Sequence, residues 1–309
     1  MRGFWLTGPH QGELRPVEVG EGVRVRALYS GISRGTEGLV WRGGVPSSLG
    51  DRMRCPHQEG DFPWPVKYGY SLVGEGPEGL VFCLHPHQEV AFVQPGFAVP
   101  LPVGLPPERA VLGANMETAV NAVWDARPGP GDRIAVVGAG VVGCLVGWLC
   151  GRIPGATVQL VDVQDRSQVA SDLGLEFRSP DRALEGCDLV VHTSGTAAGL
   201  ASSLRLAGEE ATVLELSWYG EPVQAPLGEA FHPRRLRLVS SQVGTLPSWR
   251  RSRWTHQRRL ALALDLIEPV HDVLIDGQSP FEALPSLLAA LPGTFCHRIA
   301  YSAESPCSD

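Results

Sequence analysis

Three glycines and one carboxylate give this chain its clearest chemistry. Gly138, Gly140 and Gly143 form a GxGxxG run, and Asp162 follows. Such a run can hold a pyrophosphate. The first glycine lets the chain turn sharply, the second lets backbone N–H groups approach the phosphates, and the third lets a helix pack close to a strand. An acid about 20 residues on can accept a hydrogen bond from a ribose hydroxyl. The chemistry expected is therefore dinucleotide binding, with NAD preferred because Asp162 repels a 2′-phosphate. NADP stays open because Arg166 lies in the same loop. The bland alternative is a tight strand-to-helix turn with no ligand.

A second constellation is Cys83, His85 and His87, whose alternation in a strand would turn all three side chains to one face. Their softness suits Zn²⁺. Strand geometry, however, spaces them about 6–7 Å apart, too far for one tetrahedral ion without a bend. A solvent-facing strand edge is expected instead, with no metal. His57 could line a cleft, although a lone loop histidine is usually solvated. Eight arginines fall between Arg234 and Arg259, interleaved with Trp249 and Trp254. They could bind a carboxylate or phosphate, or grip nucleic acid by charge and stacking. The expectation is the solvated face of a helix, without a nucleic-acid partner.

The elements around the glycines are explicit. Ile134–Val137 reads as a buried strand, Val141 and Val142 open an apolar helix, and a strand at Thr157–Val161 leads into Asp162. Further strands at Leu189–His192 and Thr212–Leu216 alternate with helical stretches such as Ala197–Ala207. That rhythm, over 113–275, predicts a doubly wound parallel sheet. Residues 1–112 carry alternating runs such as Val23–Tyr29, broken every few residues by glycine or proline, and predict a β-rich domain. The tail, 276–309, contains a strand at Cys296–Tyr301 expected to return to that domain, and Glu304–Asp309 are expected to fray.

The bulk numbers agree with an α/β protein of two domains. The chain has 309 residues, 43% of them hydrophobic, and a net charge of -7 that argues against general nucleic-acid binding. Lys67 is the only lysine. Seven scattered cysteines without a CxxC suggest reduced thiols in the cytoplasm. No apolar run is long enough for a membrane span or a signal peptide.

This order of domains and motifs resembles the medium-chain dehydrogenase/reductase superfamily, to which the alcohol dehydrogenases belong. Gly69-Tyr-Ser-Leu-Val-Gly74 stands where that family has Gly-His-Glu-x-x-Gly, and Ala114-Asn-Met-Glu-Thr-Ala119 stands at its domain crossover. Ser30–Glu37 and Pro65–Tyr70 look closest to the bacteriochlorophyllide-type dehydrogenase branch. The resemblance implies a GroES-like N-terminal domain, a Rossmann domain, a homodimer, and a dehydrogenase acting on a small molecule. It also implies where zinc would be held, and here those places read Ser33, Tyr70 and Glu117. Neutral hydroxyls are poor zinc ligands, so a zinc-independent member is expected.

Without zinc, the substrate oxygen needs another source of polarisation. Tyr70, standing in a ligand's place, is the first candidate acid, with Lys67 as a neighbouring cation that would lower its pKa. Tyr70 could equally be a core residue filling the space. Thr36, beside Glu37, could relay a proton, and Glu117 could be a base or a polar anchor. The resemblance further places Thr193, Ser194, Ser217 and Ser241 against the nicotinamide half of the cofactor. Rival readings are an enone or quinone reductase, and a cofactor-binding sensor or assembly protein without turnover.

Overall fold

The computed structural model describes residues 1–288 and 295–302. Glu304–Asp309, where fraying is expected, lie outside the described residues. Chain contacts divide the protein into two compact units, one of Met1–Ala114 with Leu260–Asp309 and one of Asn115–Arg259.

The second unit is built on six parallel strands. In spatial order they are Glu176–Arg178, Thr157–Val161, Arg133–Val137, Cys187–His192, Ala207–Glu215 and Arg237–Ser240. Counted along the chain this is the order 3-2-1-4-5-6, the doubly wound Rossmann arrangement, and it reverses direction between Arg133–Val137 and Cys187–His192. These two strands are near-continuous apolar runs because both their faces are covered. The helices Val141–Gly151 and Ala197–Leu206 pack on them. Val137, Val161, Val190, Val213 and Leu204 share one core.

The first unit is mainly antiparallel. Its largest sheet runs Ile275–Pro280, Cys296–Ala300, Val23–Ile32, Leu72–Gly76, Gly79–Cys83 and Val99–Pro100, with Val90–Val93 also paired to Val23–Ile32. The tail strand Cys296–Ala300 thus lies directly beside Val23–Ile32, in register His297 with Ile32. A four-stranded sheet holds Arg2–Gly8 at its centre and carries Val66–Lys67 and Glu59–Gly60 on one side. Phe4, Val25, Trp41, Leu72, Phe281 and Ile299 belong to one core.

The strand expected through Cys83, His85 and His87 stops at Cys83. Pro86 has no N–H for a ladder, and the following turn folds inward. All three side chains are buried, which corrects the solvent-facing edge expected from the alternation.

Candidate functional site

The glycine loop of the second unit makes a sharp strand-to-helix turn. Gly138 has a φ of +106°, a left-handed value that excludes other residues, and a Cβ there would fall 2.7 Å from the Ser194 nitrogen. A Cβ on Gly143 would fall 1.9 Å from the Gly138 carbonyl oxygen, so only glycine allows the helix to start that close to the strand. Gly140 is different. Its φ of -79° suits any residue, and a Cβ on it would meet nothing within 4 Å. Gly140 is the N-cap of Val141–Gly151 and supplies no side-chain cap, so the first N–H groups, at Val141 and Val142, are left for an outside partner.

Asp162 closes this loop. One oxygen accepts the Ala139 N–H at 2.7 Å and the other the Gln164 N–H at 2.9 Å. A carboxylate has about four lone-pair sites, so both oxygens can still accept ribose hydroxyls. Arg166 turns its guanidinium to Gln164.

At the other side of the central strand, Thr193 donates to the Gly138 carbonyl at 2.7 Å, tying the two loops together. Ser194 lies 2.7 Å from His192, and the Ser217 hydroxyl accepts the Gly195 N–H at 3.0 Å. Ser241 is turned inward instead, donating to Asp125 at 2.6 Å. It belongs to a network in which Asn121 joins Asp125 and Ser241 to Arg259.

Arg259 explains Glu117. Both side chains are buried, 3.1 Å apart, and Arg259 also donates to Asn121 at 2.5 Å and to the Val243 carbonyl at 2.6 Å. Burial raises the Glu117 pKa and Arg259 opposes the rise. The geometry makes Glu117 a polar anchor, the second of the two roles expected for it. Of the other seven arginines, Arg235, Arg237, Arg251, Arg253 and Arg258 are exposed, as expected of a solvated face, while Arg234 and Arg250 are half-buried. Arg250 lies 4.5 Å from the ring centre of Trp124 and 4.2 Å from that of Trp249, while Arg258 stacks 4.0 Å from Trp254. These rings are already covered by the protein's own guanidinium groups.

In the first unit, Ser33 precedes the helix Arg34–Trp41, and Tyr70 follows the strand Val66–Lys67. The Tyr70 hydroxyl bonds with Ser33 and Thr36, so three of the expected residues meet in one hydroxyl cluster. Burial, aided by the Glu37 charge, raises the phenol above its ordinary value, and the two hydroxyls only partly oppose this. Lys67 is not its partner. The ammonium is buried and donates to Glu59 and, at 2.5 Å, to Gln88. The lowered tyrosine pKa expected from Lys67 is therefore corrected in sign, because burial dominates at Tyr70 and the ammonium is held by Glu59 and Gln88 instead.

Behind the hydroxyl cluster runs a buried chain that single-residue reasoning missed. Glu37 accepts the Ser33 N–H at 2.7 Å and lies 2.9 Å from His87 Nε2. His87 Nδ1 is 2.7 Å from Ser30, which is 2.9 Å from the Tyr301 hydroxyl. His85, stacked 5.1 Å from His57, bonds to the Pro86 carbonyl, and burial pushes its pKa down to about 3. Among the described residues, no three His, Cys, Asp or Glu side chains converge as metal ligands. Nor is any helix among them long and apolar enough to cross a membrane.

No family model and no curated protein matches the chain. Solved structures match it over nearly its whole length. An alcohol dehydrogenase from Thermus sp. ATN1 is 17% identical with a TM-score of 0.75, covering 97% of this chain and 99% of that one. A short chain alcohol dehydrogenase from E. coli CFT073, complexed with cofactor NADH, is 16% identical with a TM-score of 0.75 and coverage of 98% and 99%. The quinone oxidoreductase of Thermus thermophilus, also solved with NADPH, is 20% identical with a TM-score of 0.72 and coverage of 97% and 100%. The chain shares the fold of these dehydrogenases and oxidoreductases, a mainly antiparallel unit with a doubly wound Rossmann unit.

Proposed function

We propose that this protein is an oxidoreductase that uses a nicotinamide dinucleotide, NAD(H) before NADP(H), on an alcohol or carbonyl substrate without a catalytic metal. Gly140 carries the reading. Gly138 and Gly143 are glycines for reasons internal to the fold, whereas Gly140 has an ordinary φ and empty space beside it. A ligand's close approach to the backbone explains that glycine, and the uncapped helix start beside it suits a pyrophosphate. Asp162 favours a ribose with free hydroxyls over one bearing a phosphate. Similar folds solved with NADH and with NADPH support the cofactor class.

When bound, the dinucleotide supplies the hydride donor or acceptor. The chain's own residues must orient the substrate and hold a proton. Tyr70 suits the second task as a neutral phenol. With its pKa raised, it stays protonated at working pH and offers a hydrogen bond to a developing oxyanion. Ser33 and Tyr70, bonded together as hydroxyls, are donors that do not fit zinc. The same reluctant phenol favours a second reading, reduction of an enone or quinone, where the substrate spreads its own charge.

We read the location as cytoplasmic because the six described cysteines are unpaired and buried. A homodimer rests on the family resemblance.

The test is a panel of secondary alcohols, ketones, enones and quinones with both cofactors, with and without a chelator. Turnover should persist in chelator, and Tyr70→Phe should lower it about 10²-fold or more with cofactor binding unchanged. Loss of turnover in chelator would overturn the metal-free reading. Cofactor binding without turnover on any substrate would favour the sensor.

A further inference from the structure

At the switch point of the parallel sheet, a buried histidine and its half-buried partners form a hydrogen-bonded chain that surfaces at Ser194. His192, the last residue of its strand, is fully buried. Its Nδ1 lies 2.6 Å from Glu215, at the end of the next strand, and its Nε2 lies 2.7 Å from the Ser194 hydroxyl. Glu215 also accepts the Tyr219 hydroxyl at 2.7 Å and the Ser217 N–H at 2.7 Å. The chain is tightly built. A Cβ on Gly199 would fall 2.0 Å from the Ser194 hydroxyl oxygen and 2.7 Å from His192 Nε2, so the helix can sit there only as glycine.

The direction of each hydrogen bond follows from the donor inventory. Burial works to raise the Glu215 pKa, but the bonds from His192, Tyr219 and Ser217 outweigh it and hold the carboxyl below its ordinary value. A carboxylate only accepts, so His192 Nδ1 carries the proton. With the imidazole neutral, Nε2 is then an acceptor and the Ser194 proton points inward to it, whereas an imidazolium would donate from both nitrogens. The serine therefore turns lone pairs outward. One faces Thr196, 3.0 Å away, whose own oxygen accepts the Gly199 N–H. The other is left for a ligand.

We propose that His192, Glu215 and Tyr219 are positioning residues that fix Ser194 as a hydrogen-bond acceptor for a ribose hydroxyl of the dinucleotide's second nucleoside. The proposal rests on the dinucleotide reading. Asp162 lies on one side of the central strand and Ser194 on the other, with the glycine loop between them. A pyrophosphate at that loop sends its two nucleosides to opposite sides, and the one over Ser194 must present a donor. An acceptor-only group, such as an ether or a carboxylate, is refused there.

Two measurements test this. Long-range ¹⁵N–¹H spectra of the ligand-free protein should show His192 as the Nδ1–H tautomer. Glu215→Gln, whose amide can donate to Nδ1, should move it toward Nε2–H. Calorimetric titration should find ADP-ribose binding about tenfold more tightly than ADP, the worth of roughly one net hydrogen bond. That advantage should vanish in Ser194→Ala and shrink in Glu215→Gln, with ADP affinity unchanged in both. An Nε2–H tautomer in the unsubstituted protein, or an advantage indifferent to both substitutions, would overturn the positioning role alone. Failure of both ADP and ADP-ribose to bind would overturn the dinucleotide reading and this contact with it.

Discussion

At the scale of residues, partners decide what a side chain can do. Lys67 and Tyr70 stand three apart in sequence, yet Lys67 pairs with Glu59 and Gln88, and Tyr70 with Ser33 and Thr36. The residue types at the candidate site were legible, since Tyr70, Thr36 and Ser33 do meet. Their electrostatics were not, because the groups that set them come from distant segments. His85 shows the consequence for stability. Its pKa is about 3 in the folded chain against 6.5 ordinarily, chiefly through burial, with the nearby His57, Lys67 and His87 charges adding. The unfolded chain therefore takes up a proton that the folded chain refuses. The stability that this neutral imidazole contributes is present above about pH 6.5 and is lost as pH falls toward 3, by up to about 1.4 kcal/mol per pH unit. Urea unfolding at about pH 7 and pH 5 should show a drop that is smaller in His85→Gln. Equal drops in the two proteins would show that His85 is not the sensitive group.

At the scale of elements, the parallel strands were the most legible part. Apolar runs covered on both faces announce themselves, and the strands expected to end at Val137, Val161 and His192 end there. Cys83–His87 misled because alternation alone does not distinguish a strand from a turn whose proline breaks the ladder. The arginine cluster is largely exposed, as expected, but the stacking of Arg250 on Trp124 depends on a helix far back in the sequence. Arg259 clamps that helix, Gly113–Ala126, to the segment at Val243. Arg259→Met should therefore leave Glu117 buried without its partner and cost about 3–5 kcal/mol. Adding Glu117→Leu should recover part of the loss. Denaturant midpoints measure both, and a single substitution without effect would remove the clamp from the account.

At the scale of the whole molecule, the fold is shared with enzymes solved with NADH and NADPH at identities of 16% and 20%. Function therefore has to be argued from the site. What the sequence of the second unit made visible was the loop itself, since its glycines and acid are close in the chain. The Glu215–His192–Ser194 chain stayed hidden because its members meet only when neighbouring strands align. Gly140 joins the scales, being the loop glycine that the protein's own packing does not require. Gly140→Ala places a methyl group in open space at an ordinary φ, so the melting temperature should hold or rise slightly. The most direct measurement is fluorescence titration of the unsubstituted protein and Gly140→Ala with NADH and NADPH. The account predicts saturable binding to the unsubstituted protein, tighter for NADH, and at least about tenfold weaker binding to Gly140→Ala at unchanged stability. Absence of binding, or equal affinity in the two proteins, would contradict it.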